Sequence, residues 1–105
     1  MTEHKTIKRR RIELLADKPL IRKIISVAEG VGVDNYTLFP VAAGRGRTNS
    51  WSDDQLTGAT AKQMFMIICD EEHADAFAAA ASPLLDDYGL VLIISNVEVL
   101  RGGKY

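Results

Sequence analysis

Gly44-Arg45-Gly46-Arg47 is the stretch of the chain best suited to chemistry. Glycine lets successive backbone N–H groups turn toward one anion, and a guanidinium presents a planar fork of donors that matches phosphate or carboxylate oxygens. At the end of a strand, opening a long connection, such a stretch can hold a phosphate. It can equally be a flexible turn with hydrated arginines, and four residues do not decide between the two. Arg101 and Lys104 add positive charge near the other end of the sequence, with a solvated terminal cation as the plain alternative. Lys8-Arg9-Arg10-Arg11 can reach nucleic-acid phosphates, although such runs more often keep a strand end soluble and protect an edge. Trp51, among Ser50, Ser52, Asp53 and Asp54, is a partner anchor, a stacking platform for a base, or a ring folded onto its own domain.

Other combinations point away from catalysis. Cys69, Glu72 and His73 carry metal-ligating atoms at a spacing that matches no zinc pattern, and Cys69 falls in a strand expected to be buried. A metal-handling role therefore requires Cys69 or His73 to be exposed. His4 and His73 have no nucleophile arranged beside them, and Asp53-Asp54 and Asp86-Asp87 are adjacent pairs rather than a spaced acid–base couple. Neither an enzyme nor a metal site is expected.

The elements that must position these residues follow from periodicity. Ile7 to Ala16 reads as a strand with Ile12, Leu14 and Ala16 on one face. Asp17 is placed to cap a helix that has Pro19 just inside it and Leu20, Ile21, Ile24, Ile25 and Ala28 as its apolar stripe, with Gly30 and Gly32 as its stop. Tyr36 to Val41 predicts a second strand. Gly44 to Thr60 shows neither period and predicts a long functional loop. Lys62 to Cys69 is apolar on both faces, as a central strand is. Asp70 caps a second helix, Glu71 to about Tyr88, with Ala74, Phe77, Ala78, Ala81, Leu84 or Leu85, and Tyr88 facing inward. Pro83 is expected to kink or restart that helix, and Gly89 to end it. Leu90 to Leu100 predicts a last strand bent near Ser95-Asn96, followed by a polar tail, 101–105.

The predicted order is βαββαβ: a single α+β domain, 1–105, of ferredoxin-like kind, with a four-stranded antiparallel sheet and both helices on one face. Helices cover only one side, so the other apolar face, with Met64, Met66 and Ile68, is expected to pack against further copies of the chain. With 105 residues, 47% hydrophobic, 26% charged and a net charge of −1, the chain reads as a soluble domain and not as a general nucleic-acid trap. The start of the sequence lacks the apolar stretch of a secretory signal and no run approaches the ~20 apolar residues of a membrane span. The one cysteine fits a cytoplasmic location without membrane insertion.

The βαββαβ order, Gly32 to Thr37 (GVDNYT) entering the second strand, the Gly-Arg-Gly-Arg opening of the loop and the terminal Val97 to Arg101 (VEVLR) resemble the PII signalling family. The resemblance spans Lys8 to Arg101 and is closest to the PII-like, carboxysome-associated group. It implies a homotrimer with adenine-nucleotide sites between subunits. By this likeness Thr37 faces adenine, and Gly44, Arg45, Gly46 and Arg47 at the base of the T-loop hold phosphate or a small anion, with bicarbonate assigned to Gly46 and Arg47. Arg101 adds positive charge. Gly89 joins the nucleotide set, although Asp86-Asp87-Tyr88-Gly89 stands where the family has a glycine-rich loop with a lysine.

That acidic pair implies that AMP and ADP bind at least as well as ATP. No tyrosine lies in 44–60, so uridylylation there is not expected, nor is 2-oxoglutarate binding. The resemblance implies no cofactor beyond these ligands. It implies a regulator that signals through its loop, including Trp51, to a protein linked to inorganic carbon, such as a bicarbonate transporter or a carboxysome component. The rival readings are a small nucleic-acid-binding domain and a metal-handling trimer.

Overall fold

The computed structural model describes residues 5–45, 50–52 as backbone, and 61–101. Strand β1 (Ile7–Asp17) leads directly into helix α1 (Lys18–Gly30). Then come β2 (Thr37–Pro40), the short strands β3 (Ala43–Arg45) and β4 (Ser50–Ser52), β5 (Lys62–Cys69), α2 (Glu71–Tyr88) and β6 (Leu92–Val99). The main sheet has the order β2-β5-β1-β6 with every neighbour antiparallel. This is the expected ferredoxin-like arrangement.

Alternation along each strand divides the residues between two faces. On one face Ile12, Leu14 and Ala16 of β1 and Phe65, Ile67 and Cys69 of β5 meet Ile21, Ile24 and Ala28 of α1 and Ala74, Phe77 and Ala81 of α2, all of them buried. The other face bears Leu15, Phe39, Met64, Met66, Ile68 and Ile93, none of them buried. Phe39 is 43% exposed and Ile93 51%, so the sheet carries apolar surface that one chain leaves uncovered.

Several local expectations give way to particular contacts. Asp17 occupies the N-cap position with an extended backbone, but its side chain makes no cap hydrogen bond. It faces Lys62 across the β1–β5 ladder and takes that ammonium at 2.7 Å. Tyr88 does not turn inward: it is 47% exposed, with Lys23 Nζ 5.5 Å from its ring centroid and donating to its hydroxyl at 3.2 Å. Pro83 does not restart α2, which runs unbroken from Glu71 to Tyr88. Its missing N–H would bond the Ala79 carbonyl, and both residues lie on the exposed face, where water can serve. β6 runs through Ser95-Asn96 with its register to β1 continuous from Leu92 to Val99, and Arg10 donates to Asn96 Oδ1. The 44–60 segment is not wholly irregular, because β3 and β4 pair as a ribbon with Gly44 opposite Trp51.

Asp70 does cap α2. Its Oδ1 accepts from the His73 backbone N–H at 2.8 Å and lies 2.8 Å from His73 Nδ1. These hydrogen bonds, the backbone one foremost, hold its carboxyl below the usual value. A folded-state pKa below the unfolded one gives stability that is present above about pH 4 and is lost as pH falls through the folded value. Asp70→Ala is therefore expected to lower the urea midpoint at neutral pH, with the gap from wild type narrowing in acid.

Candidate functional site

Three contacts fix the base of the segment that carries the Gly-Arg motif. The Val41 backbone N–H donates to the Lys62 carbonyl at 3.3 Å, and that of Lys18 to the Ala61 carbonyl at 2.8 Å. The Asp17–Lys62 ion pair ties the same place to the start of α1. Gly44 and Arg45 stand on β3 just beyond this clamp, with Arg45 exposed. Gly46 and Arg47 lie outside the described residues, as do 53–60 of the expected loop and 102–105 of the expected tail.

Thr37 opens β2, is exposed, and pairs with Met66 on β5. Around it lies a recess of about 170 Å³ lined by Asn35, Tyr36, Thr37, Met66, Ile67 and Ile68. Its wall is anchored from below: Tyr36 stacks on Phe65 at 5.7 Å between centroids, and Phe65 on Phe77 at 5.9 Å. A planar apolar group with a polar edge suits such a recess, because Met66 and Ile68 offer polarizable surface and the Thr37 hydroxyl can donate or accept. Thr37 is legible in the sequence as a member of the site; Tyr36, Met66 and Ile68 are not. The last two belong to the doubly apolar strand, whose second face was assigned wholly to packing between copies.

Gly89 is the αL C-cap of α2, with φ +64°, and its N–H donates to the Leu85 carbonyl. A side chain there meets no steric neighbour among the described residues, so the positive φ calls for glycine. Gly89 precedes β6 at the sheet end where the clamp lies, while exposed Arg101 follows β6 at the opposite end. At about 3.3 Å per residue the strand between them spans roughly 25 Å. One chain thus places Thr37, Gly44 and Arg45 along one edge of the sheet and Gly89 and Arg101 at the two ends of β6 on the other. It does not bring these five together.

The basic run borders a larger recess, about 560 Å³, lined by Lys8, Arg9, Arg10, Glu71, Asn96, Val97 and Glu98. Much of its charge is matched internally: Arg10 pairs with Glu71 at 3.1 Å and Glu98 accepts from Thr6 at 2.8 Å. Arg10 thus joins β1 to β6 and to the start of α2; β1 lies between β5 and β6, so the run does not protect a sheet edge as expected. Cys69 is 6% exposed, and burial, reinforced by the Asp70 carboxylate and opposed by Arg9, pushes its thiol up. A buried, protonated sulfur does not serve as a thiolate ligand, so the metal reading loses Cys69.

A family model for nitrogen regulatory protein P-II matches residues 4–104. No curated protein sequence gives a significant match. Among solved structures, CPII from Thiomonas intermedia K12, a nitrogen regulatory PII-like protein bound to ADP, AMP and bicarbonate, superposes with a TM-score of 0.83 at 16% identity over 97% of each chain. The same protein with ADP and bicarbonate gives 0.84 at 17% identity over 97% of this chain and 98% of that one. B. subtilis GlnK in complex with ATP gives 0.60 at 13% identity over 86% and 82%. At these identities the structural likeness establishes the shared fold.

Proposed function

The chain belongs to the nitrogen regulatory protein P-II family, and from that premise we propose that it is a trimeric sensor of adenine nucleotides, bound in clefts between its copies. Its whole length acts as one domain, with 44–60 as the signalling segment. The observation that carries the reading is the division of the candidate residues within one chain. Gly89 and Arg101 bracket β6 at a separation no single nucleoside diphosphate spans, whereas a cleft between chains can bring one end of a sheet to the edge of the next. In this cleft adenine enters the Thr37 recess, and Gly44, Arg45, Gly46, Arg47, Gly89 and Arg101 surround the phosphates. Bicarbonate, present with ADP in the CPII structures, suits the cradle of Gly46 and Arg47, since a small planar anion accepts forked donors.

Ligand at the base of 44–60 shifts the population of conformers of that segment, and with it the surface that includes Trp51. A cytoplasmic partner handling inorganic carbon, a bicarbonate transporter or a carboxysome component, is the receiver in this reading. Regulation rather than catalysis is the activity.

Titration calorimetry of the trimer with AMP, ADP and ATP, with and without bicarbonate, tests the proposal. Binding of AMP and ADP at least as tight as ATP is expected, because Asp86 and Asp87 are exposed beside Gly89 and repel a third phosphate. Absence of heat with all three at millimolar concentration would end the nucleotide reading.

A further inference from the structure

Strand β1 carries one cation and one anion into the middle of the uncovered sheet face. Arg11 and Glu13 are two residues apart on a central strand and so project to the same side. Their neighbours across the ladders are Ile68 and Met66 on β5 and Ser95 and Ile93 on β6. The pair is already partly withdrawn from water, with side-chain exposures of 41% and 27%. Among the described residues their bonding is incomplete. Arg11 Nε lies 3.3 Å from Glu13 Oε1, yet it is shut off from solvent and has no hydrogen-bond partner among the described residues. The contact is an ion pair without hydrogen-bond alignment. The other pair on this face differs, since Lys62 donates to Asp17 with good geometry.

This arrangement has a consequence for assembly, which rests on the trimeric reading above. Packing three such faces around an axis removes the water that still reaches both groups. A buried charge pair left half-bonded is strongly destabilising, and the apolar neighbours Ile68, Met66 and Ile93 supply no replacement donors or acceptors. A threefold ring is built head to tail, so each copy offers one surface and receives a different one. A face bearing both charges can meet that requirement, with Arg11 serving one neighbour and Glu13 the other. We propose that Arg11 of each copy bonds Glu13 of the next, closing a ring of six charges at the core of the assembly. Apolar contact alone is non-directional, whereas a guanidinium–carboxylate pair has a preferred geometry. The ring therefore sets the rotation of each sheet against its neighbour, and through it the width of the clefts.

Charge reversal separates bonding between chains from bonding within one. Arg11→Glu gives a chain with two acids at these positions and Glu13→Arg a chain with two bases; sedimentation velocity of each alone is expected to show at least tenfold weaker assembly than wild type. Co-expressed, the two are expected to form mixed trimers, because two of the three junctions are then attractive. The double reversal Arg11→Glu/Glu13→Arg restores every junction with inverted polarity, and assembly at wild-type concentration is expected, which also shows that the positions tolerate the new side chains. Wild-type-like trimers from both single variants, a mixture no better than its parts, or failure of the double reversal would each overturn the ring while leaving a trimeric wild type in place. A monomeric wild type would remove the ring and the trimeric reading together.

Discussion

Phe65→Ala is expected to lower the unfolding free energy by about 3–5 kcal/mol, the cost of deleting a fully buried aromatic ring that its surroundings cannot collapse to fill. Phe65 is 0% exposed, on a central strand, between Leu14 and Leu38 across its two ladders. Its ring is the middle of the Tyr36–Phe65–Phe77 stack, which joins the Thr37 recess to α2. A domain of this size is typically stable by about 5–15 kcal/mol, so the loss is a large share of the total. Urea unfolding measures it. Phe65→Leu keeps most of the volume and is expected to cost less. A loss under 1 kcal/mol for the alanine variant would show that the stack is not what fixes the wall of the recess.

Arg47→Ala is expected to weaken ADP binding by about ten- to a hundredfold, the range that follows from removing a charge-assisted hydrogen bond to phosphate worth about 1.5–3 kcal/mol. The effect on adenosine is expected to be negligible, because the proposed contacts place the phosphate at the arginine and the base at Thr37. Calorimetry with both ligands separates the two contributions. Equal weakening of both would mean that the arginine acts through assembly or folding, and unchanged ADP affinity would move the phosphate site away from 44–47.

The sheet and helices were legible because each central element carries one strong period. The run KQMFMIIC is the whole of β5, and the stripe Ile21, Ile24 and Ala28 is the buried side of α1. What was misread turned on pairs of residues distant in sequence. Asp17 has the type and position of a cap, but Lys62 stands across the ladder and takes its carboxylate. Tyr88 has the spacing of an inward residue, but Lys23 of α1 holds its ring and hydroxyl at the surface. Gly44 to Thr60 shows no periodicity because a three-residue strand is too short to show one, so the β3–β4 ribbon left no trace in the pattern.

The candidate site was legible only in part for a related reason. Thr37 and the glycine–arginine motif are local in sequence, whereas the recess is made by a strand pairing that brings Met66 beside Thr37. In the proposed trimer its completion requires more than one chain. The apolar second face of β5 was the signal for this, and Met66 contributes to that face and to the recess at once.

A crystal structure of the protein grown with ADP and bicarbonate tests the inter-subunit nucleotide site most directly. Three chains are expected with their open sheet faces together, adenine against Thr37, Met66 and Ile68, and phosphate oxygens contacted by Arg47, with every nucleotide touching two chains. ADP held entirely by one chain, or seated in the recess between Lys8 and Glu98, would contradict it.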